Sequence, residues 1–105
     1  MLLVSDLSGR TRGKSIPLRE SAQLMRDGLG WIPSNAVLTC FGPMAKVEND
    51  ALGELRLLPA EDEPLSITHK GLNIEQNWWI GKIARLDGFP WECCLRSQLQ
   101  GAVSL

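Results

Sequence analysis

A chain of 105 residues has room for one compact domain, or for a small domain with an appendage. Its 11 basic and 12 acidic residues leave a net charge of -1, too little to draw the chain to nucleic acid or to an anionic membrane. The apolar fraction of 44% is ordinary for a globular protein. No apolar run is long enough to span a bilayer, and the opening MLLVSDLSGR lacks the charged start and long apolar core of a secretory signal, so a cytoplasmic protein is expected.

Residues 2–7 (LLVSDL) read as a short strand, and the polar, basic stretch 8–15 (SGRTRGKS) as a loop. Pro17 and Gly28 bracket a loose helical stripe of Leu18, Ala22, Leu24 and Met25, which predicts one short helix over 17–27. The apolar run 36–41 (AVLTCF) predicts a strand. Gly42, Pro43 and the Glu48-Asn49-Asp50 cluster mark a linker. Residues 54–58 read as a strand, 59–64 (PAEDEP) as an acidic loop between two prolines, and 65–71 (LSITHKG) as strand and turn. The best strand is 77–86 (NWWIGKIARL). Asp87-Gly88 then signals a tight turn, and 89–95 (FPWECCL) the returning strand. Short strands with frequent turns point to a mainly β fold, a barrel or a sandwich. Trp78 and Trp79 are adjacent, so in a strand one faces the core and the other the surface.

No residue set carries catalysis. Cys40, Cys93 and Cys94 are an odd number with no C-x-x-C spacing, and the single histidine, His69, is remote from them in sequence. A zinc site needs about four such ligands, so reduced thiols are expected and no metal. The segment Gly9-Arg10-Thr11-Arg12-Gly13-Lys14-Ser15 is one residue short of a phosphate-binding loop, and Pro17 falls where that motif's helix should be running. Three consecutive acids, Glu61, Asp62 and Glu63, cannot all face one cation from an extended chain. Neither an enzyme nor a cofactor is expected.

Two stretches resemble the Src-homology-3 (SH3) family. Over 55–96, LRLLP, the acidic AEDEP, LSITHKG, the pair Trp78-Trp79 before Ile80-Gly81-Lys82, and Gly88-Phe89-Pro90 follow the order of that family's markers. Gly30-Trp31-Ile32-Pro33-Ser34-Asn35-Ala36-Val37 is similar to the family's tail. The resemblance implies a small SH3-like β-barrel with one short helix. It also implies a partial SH3-like tail at 1–37 with a helical insertion, a linker at 38–54, the barrel at 55–97 and a C-terminal tail at 98–105. The family's peptide groove is an aromatic floor. Here its tyrosine positions hold Leu57, Pro59 and Cys93 or their neighbours, while Trp78 and Pro90 remain.

The resemblance thus implies an adaptor-type, signalling module that binds a protein or proline-rich segment weakly through Trp78, Pro90, Glu61, Asp62 and Glu63. Trp79, Ile83, Phe89 and Leu95 are expected as core, with Trp78 and Trp91 partly buried. An alternative is a small inhibitor or accessory protein, for example from a mobile element, that blocks a larger partner through a sheet edge or flat face. A third reading, nucleic-acid binding through Arg10, Arg12, Lys14 and Arg19, is disfavoured by the net charge.

Overall fold

The computed structural model describes residues 1–43, 45 and 53–105. Six strands form one curled, half-barrel sheet: β1 (Leu2–Ser5), β2 (Thr11–Lys14), β3 (Leu29–Trp31), β4 (Leu55–Pro59), β5 (Leu65–His69) and β6 (Ile74–Ala84). Their order is β2-β1-β6-β4-β3, with β5 also paired to β6. Helix α1 spans Ser21–Asp27 and α2 spans Leu95–Val103.

The eleven-residue β6 organises the molecule. One edge pairs antiparallel with β4, from Arg56↔Ala84 to Pro59↔Gly81, and then with β5, from Leu65↔Trp78 to His69↔Ile74. The other edge takes β1 in parallel, with Leu2↔Trp79 and Leu3↔Ile80. The first residue joins this pairing: the Met1 ammonium donates to the Asn77 carbonyl at 2.8 Å, and the Trp79 amide donates to the Met1 carbonyl at 2.9 Å. The stretches 1–37 and 55–97 therefore share one sheet. They also share one core, in which Leu2, Val4, Leu24 and Trp31 pack with Leu55, Leu57, Trp79 and Ile83.

Several local expectations are corrected. Residues 11–14, expected in a loop, form β2. This strand is mostly exposed, so it lacks the alternation by which a half-buried strand is recognised. Gly13 lets it lie close: a Cβ there would stand 2.6 Å from the Leu2 carbonyl oxygen. Residues 36–41 form no strand, although Ala36 and Val37 are buried; they fill the core from an irregular segment. Of the expected linker at 38–54, residues 44 and 46–52 lie outside the described residues.

The expected helix forms as a 3₁₀ turn (Leu18–Glu20) running into α1. It stops at Gly28, whose φ of +69° suits a residue without a Cβ. The chain reverses near Asp87-Gly88, with the Gly88 amide donating to the Arg85 carbonyl at 2.9 Å. The expected return strand 89–95 is reduced to a single bridge, Ala84↔Pro90. Pro90 has no N–H with which to extend a ladder. The chain then turns through Glu92 and Cys93 into α2, which replaces most of the expected C-terminal tail. Phe89 and Leu95, expected in the core, are 69% and 38% exposed, whereas Trp91, expected to be partly buried, is in the core.

Candidate functional site

Side chains alternate between the two faces of β6. Trp79, Gly81 and Ile83 are buried on the core face, and Trp78 and Ile80 take the opposite, outer face. Leu3, paired with Ile80, lies on the outer face of β1. Helix α2 packs over this region but does not seal it. Leu95 and Leu99 stay exposed, and Ile80 beneath them keeps 52% of its surface. The result is a groove of about 530 Å³ walled by Leu3, Ser5, Ile80, Leu95, Arg96 and Leu99. Arg96 is the charged member of its lining. Its Nη2 donates to Glu61 Oε1 at 2.7 Å, while its Nε is buried with no partner among the described residues.

Beyond the groove, β5 and the first half of β6 form a two-stranded ribbon. Its register places Leu65 opposite Trp78, Ile67 opposite Gln76 and His69 opposite Ile74. These six share one face, and Ser66, Thr68, Glu75 and Asn77 share the other. The ribbon is amphipathic, and among the described residues most of its apolar face is left open: all five residues of β5 are exposed, Leu65 by 68%, while Trp78 is half-buried. The outer edge of β5 pairs with no other described strand. Among the polar groups, Ser66 Oγ donates to Asn77 Oδ1 at 2.8 Å, and His69 Nε2 lies 3.2 Å from Gln76 Oε1.

The residues singled out in the sequence are only partly brought together. Trp78 sits on the ribbon, half-buried as expected, but its indole Nε1 is enclosed without a partner among the described residues and offers no donor at the surface. Glu61 lies beside the groove, since the neighbouring Ala60 amide donates to the Ile80 carbonyl at 2.8 Å. It is engaged with Arg96, and Asp62 and Glu63 are exposed with no bond to another described side chain. Pro90 is elsewhere. It bridges Ala84 at the far end of β6, six residues from Trp78, which is about 20 Å along a strand. Trp78 and Pro90 therefore do not share a groove floor.

Sequence reasoning missed Leu95 and Leu99. The signal was available: Leu95, Leu99 and Val103 recur at a spacing of four, one stripe of a helix. The apolar run 89–95, with its strand-like pattern, masks it.

The thiols differ in setting. Cys40 is exposed, Cys93 half-buried and Cys94 buried. Burial, and then the charge of Glu92, push the Cys93 thiol up. Among the described residues no cluster of His, Cys, Asp and Glu could hold a metal ion, and no helix is long and apolar enough to cross a membrane.

No protein-family model matches the chain, and no curated protein matches it. A solved structure does. It is described as the crystal structure of a novel glutamine synthase homolog, and it superposes with a TM-score of 0.82 at 30% sequence identity. The match covers 98% of this chain but only 25% of that one, so the chain spans about a quarter of the length of the protein it resembles. That neighbour is not described as an Src-homology-3 protein.

Proposed function

We propose that this chain is a non-catalytic protein-interaction module that seats on a larger polypeptide of the glutamine-synthase-homolog type. The observation that carries the reading is the β5–β6 ribbon, a pair of strands whose apolar face is largely exposed and whose outer edge pairs with no other described strand. Isolated two-stranded ribbons are marginal in water, and an open edge is a template for pairing with another chain. A ribbon of this kind is stabilised by what it docks against. The similarity to one quarter of a longer chain supports a body of that size as the partner. The reading keeps the expected interaction function and the expected sheet-edge mode. It does not depend on an Src-homology-3 barrel or on proline-rich ligands. The chain alone carries no catalytic step in this proposal.

The test is reconstitution. The remaining three-quarters of the glutamine synthase homolog, produced without its matching quarter, is mixed with this chain and analysed by size-exclusion chromatography with light scattering. Co-elution is expected, together with its loss in the double variant Leu65→Ser, Ile67→Ser. Separate elution of the parent chain, or co-elution unchanged in the double variant, overturns the proposal.

A further inference from the structure

We infer that the groove between α2 and the outer face of the sheet is a second docking site, one that takes an aliphatic polypeptide segment bearing a carboxylate. Three features point to this occupant. The groove is large for a chain of this size, about 530 Å³, and its walls at Leu3, Ile80, Leu95 and Leu99 are aliphatic. It is a trough rather than an enclosed cavity, since Ile80 and Leu99 remain 52% and 55% exposed. A trough suits a length of chain better than a small molecule, which needs most of its surface buried. Finally, the lining holds one charge, and it is positive: Arg96.

The state of that guanidinium defines the ligand further. Arginine offers five donors in a rigid fork matched to carboxylates. Here Nη2 is spent on Glu61, while Nε is enclosed with no partner among the described residues. A buried donor without an acceptor is costly. Because Nε is enclosed, a carboxylate arriving along the groove meets the outer, partly exposed end of the guanidinium and competes with Glu61 for it. Glu61 is thereby a stand-in ligand supplied by the chain itself, held at the mouth of the site from the loop between β4 and β5.

The probe is a short fluorescein-labelled peptide with two leucines flanking one glutamate, followed by anisotropy, with its glutamine counterpart as the control. Binding of the glutamate peptide with a Kd on the order of 100 μM is expected, with about tenfold weaker binding of the glutamine peptide. Ile80→Ser and Arg96→Gln should each weaken the glutamate peptide by about tenfold. Glu61→Gln should tighten it severalfold, because the competitor is neutralised. That gain is a result that a purely structural Glu61–Arg96 pair would not produce. The double ribbon variant Leu65→Ser, Ile67→Ser should bind the peptide as the parent does, so failure of this site and failure of the ribbon proposal are separable. Circular dichroism of each variant checks that it is folded. No binding at about 1 mM peptide, equal binding of the glutamate and glutamine peptides, or weaker binding by a folded Glu61→Gln chain overturns the inference.

Discussion

The backbone amide of Ile83 donates to Cys94 Sγ at 3.1 Å, in a part of the core where Cys94 has no exposed surface. This bond continues the edge of β6 past the end of β1. The neighbouring carbonyl of Ile83 accepts from the Trp91 amide at 3.1 Å, so residues 91–94 cover the strand where no further strand reaches it. Replacing Cys94 with Ala removes both the acceptor and the packing of the sulfur. The expected cost in urea denaturation is about 1–3 kcal/mol. Cys40→Ala, at an exposed site, should stay within about 0.5 kcal/mol. In a native thiol titration Cys40 should react first, Cys93 more slowly, and Cys94 only on unfolding.

Trp78 and Trp79 should differ as sharply in stability as they do in direction. Trp79 is in the core, paired across β1 with Leu2, and its truncation should cost about 3–5 kcal/mol. Trp78 is half-buried on the ribbon, and Trp78→Ala should cost well under half as much. Urea melts of the two single variants decide the matter; equal losses would mean that the outer face is packed as firmly as the core.

This contrast was legible in the sequence, because an adjacent pair in a strand must divide between faces. The placement of β6, β5 and the reversal at Asp87-Gly88 was legible for the same reason: alternation and a turn dipeptide are local signals. What was not legible is long-range. Nothing in LLVS says that it pairs in parallel with the strand at 79–80, and so nothing showed that the two ends of the chain share one sheet. Pro90 and Trp78 are close in the family pattern, but Pro90 bridges the last residue of β6, six residues along the strand from Trp78. The strand Thr11–Lys14 was hidden by its own exposure. Its threonine, arginine, glycine and lysine carry no burial pattern, and the strand pairs with β1 after the turn that precedes it.

Gly13 should tolerate no side chain. It pairs with Leu3, and a Cβ would meet the Leu2 carbonyl oxygen at 2.6 Å and the Leu3 side chain at 2.7 Å. The side chain could give way, but the carbonyl is part of the β1 backbone, which is held between β2 and β6 and cannot move freely. Gly13→Ala should therefore destabilise by about 1–3 kcal/mol, as overpacking does. Gly30→Ala, where the added carbon meets nothing within 4 Å, is the control expected near zero. Thermal melts of the pair test this directly.

The turn between β1 and β2 is held by Asp6, a buried carboxylate only 1% exposed. Its Oδ1 accepts from the Ser8 amide at 3.0 Å, the Ser8 hydroxyl at 2.7 Å and the Arg10 amide at 2.9 Å, and its Oδ2 accepts from Arg12 Nε at 2.8 Å. Burial alone would push this carboxyl up. The Ser8 hydroxyl, Arg12 and the two amides outweigh it and hold the group down, from 3.8 to about 2. Because the folded value lies below the unfolded one, the unfolded chain binds the proton first as pH falls. The contribution of Asp6 is therefore complete above about pH 4 and is lost progressively as the pH drops through about 2. Arg12 remains 30% exposed, so solvent screens part of the pair and about 1–2 kcal/mol is expected rather than the full value of the shift. Asp6→Asn keeps an acceptor for the amides but removes the charge that faces Arg12. Urea melts of parent and variant between pH 7 and pH 2 should show a difference of that size at neutral pH, narrowing toward zero at the acid end. A difference that stays constant across the range would show that the carboxylate charge contributes nothing to the turn.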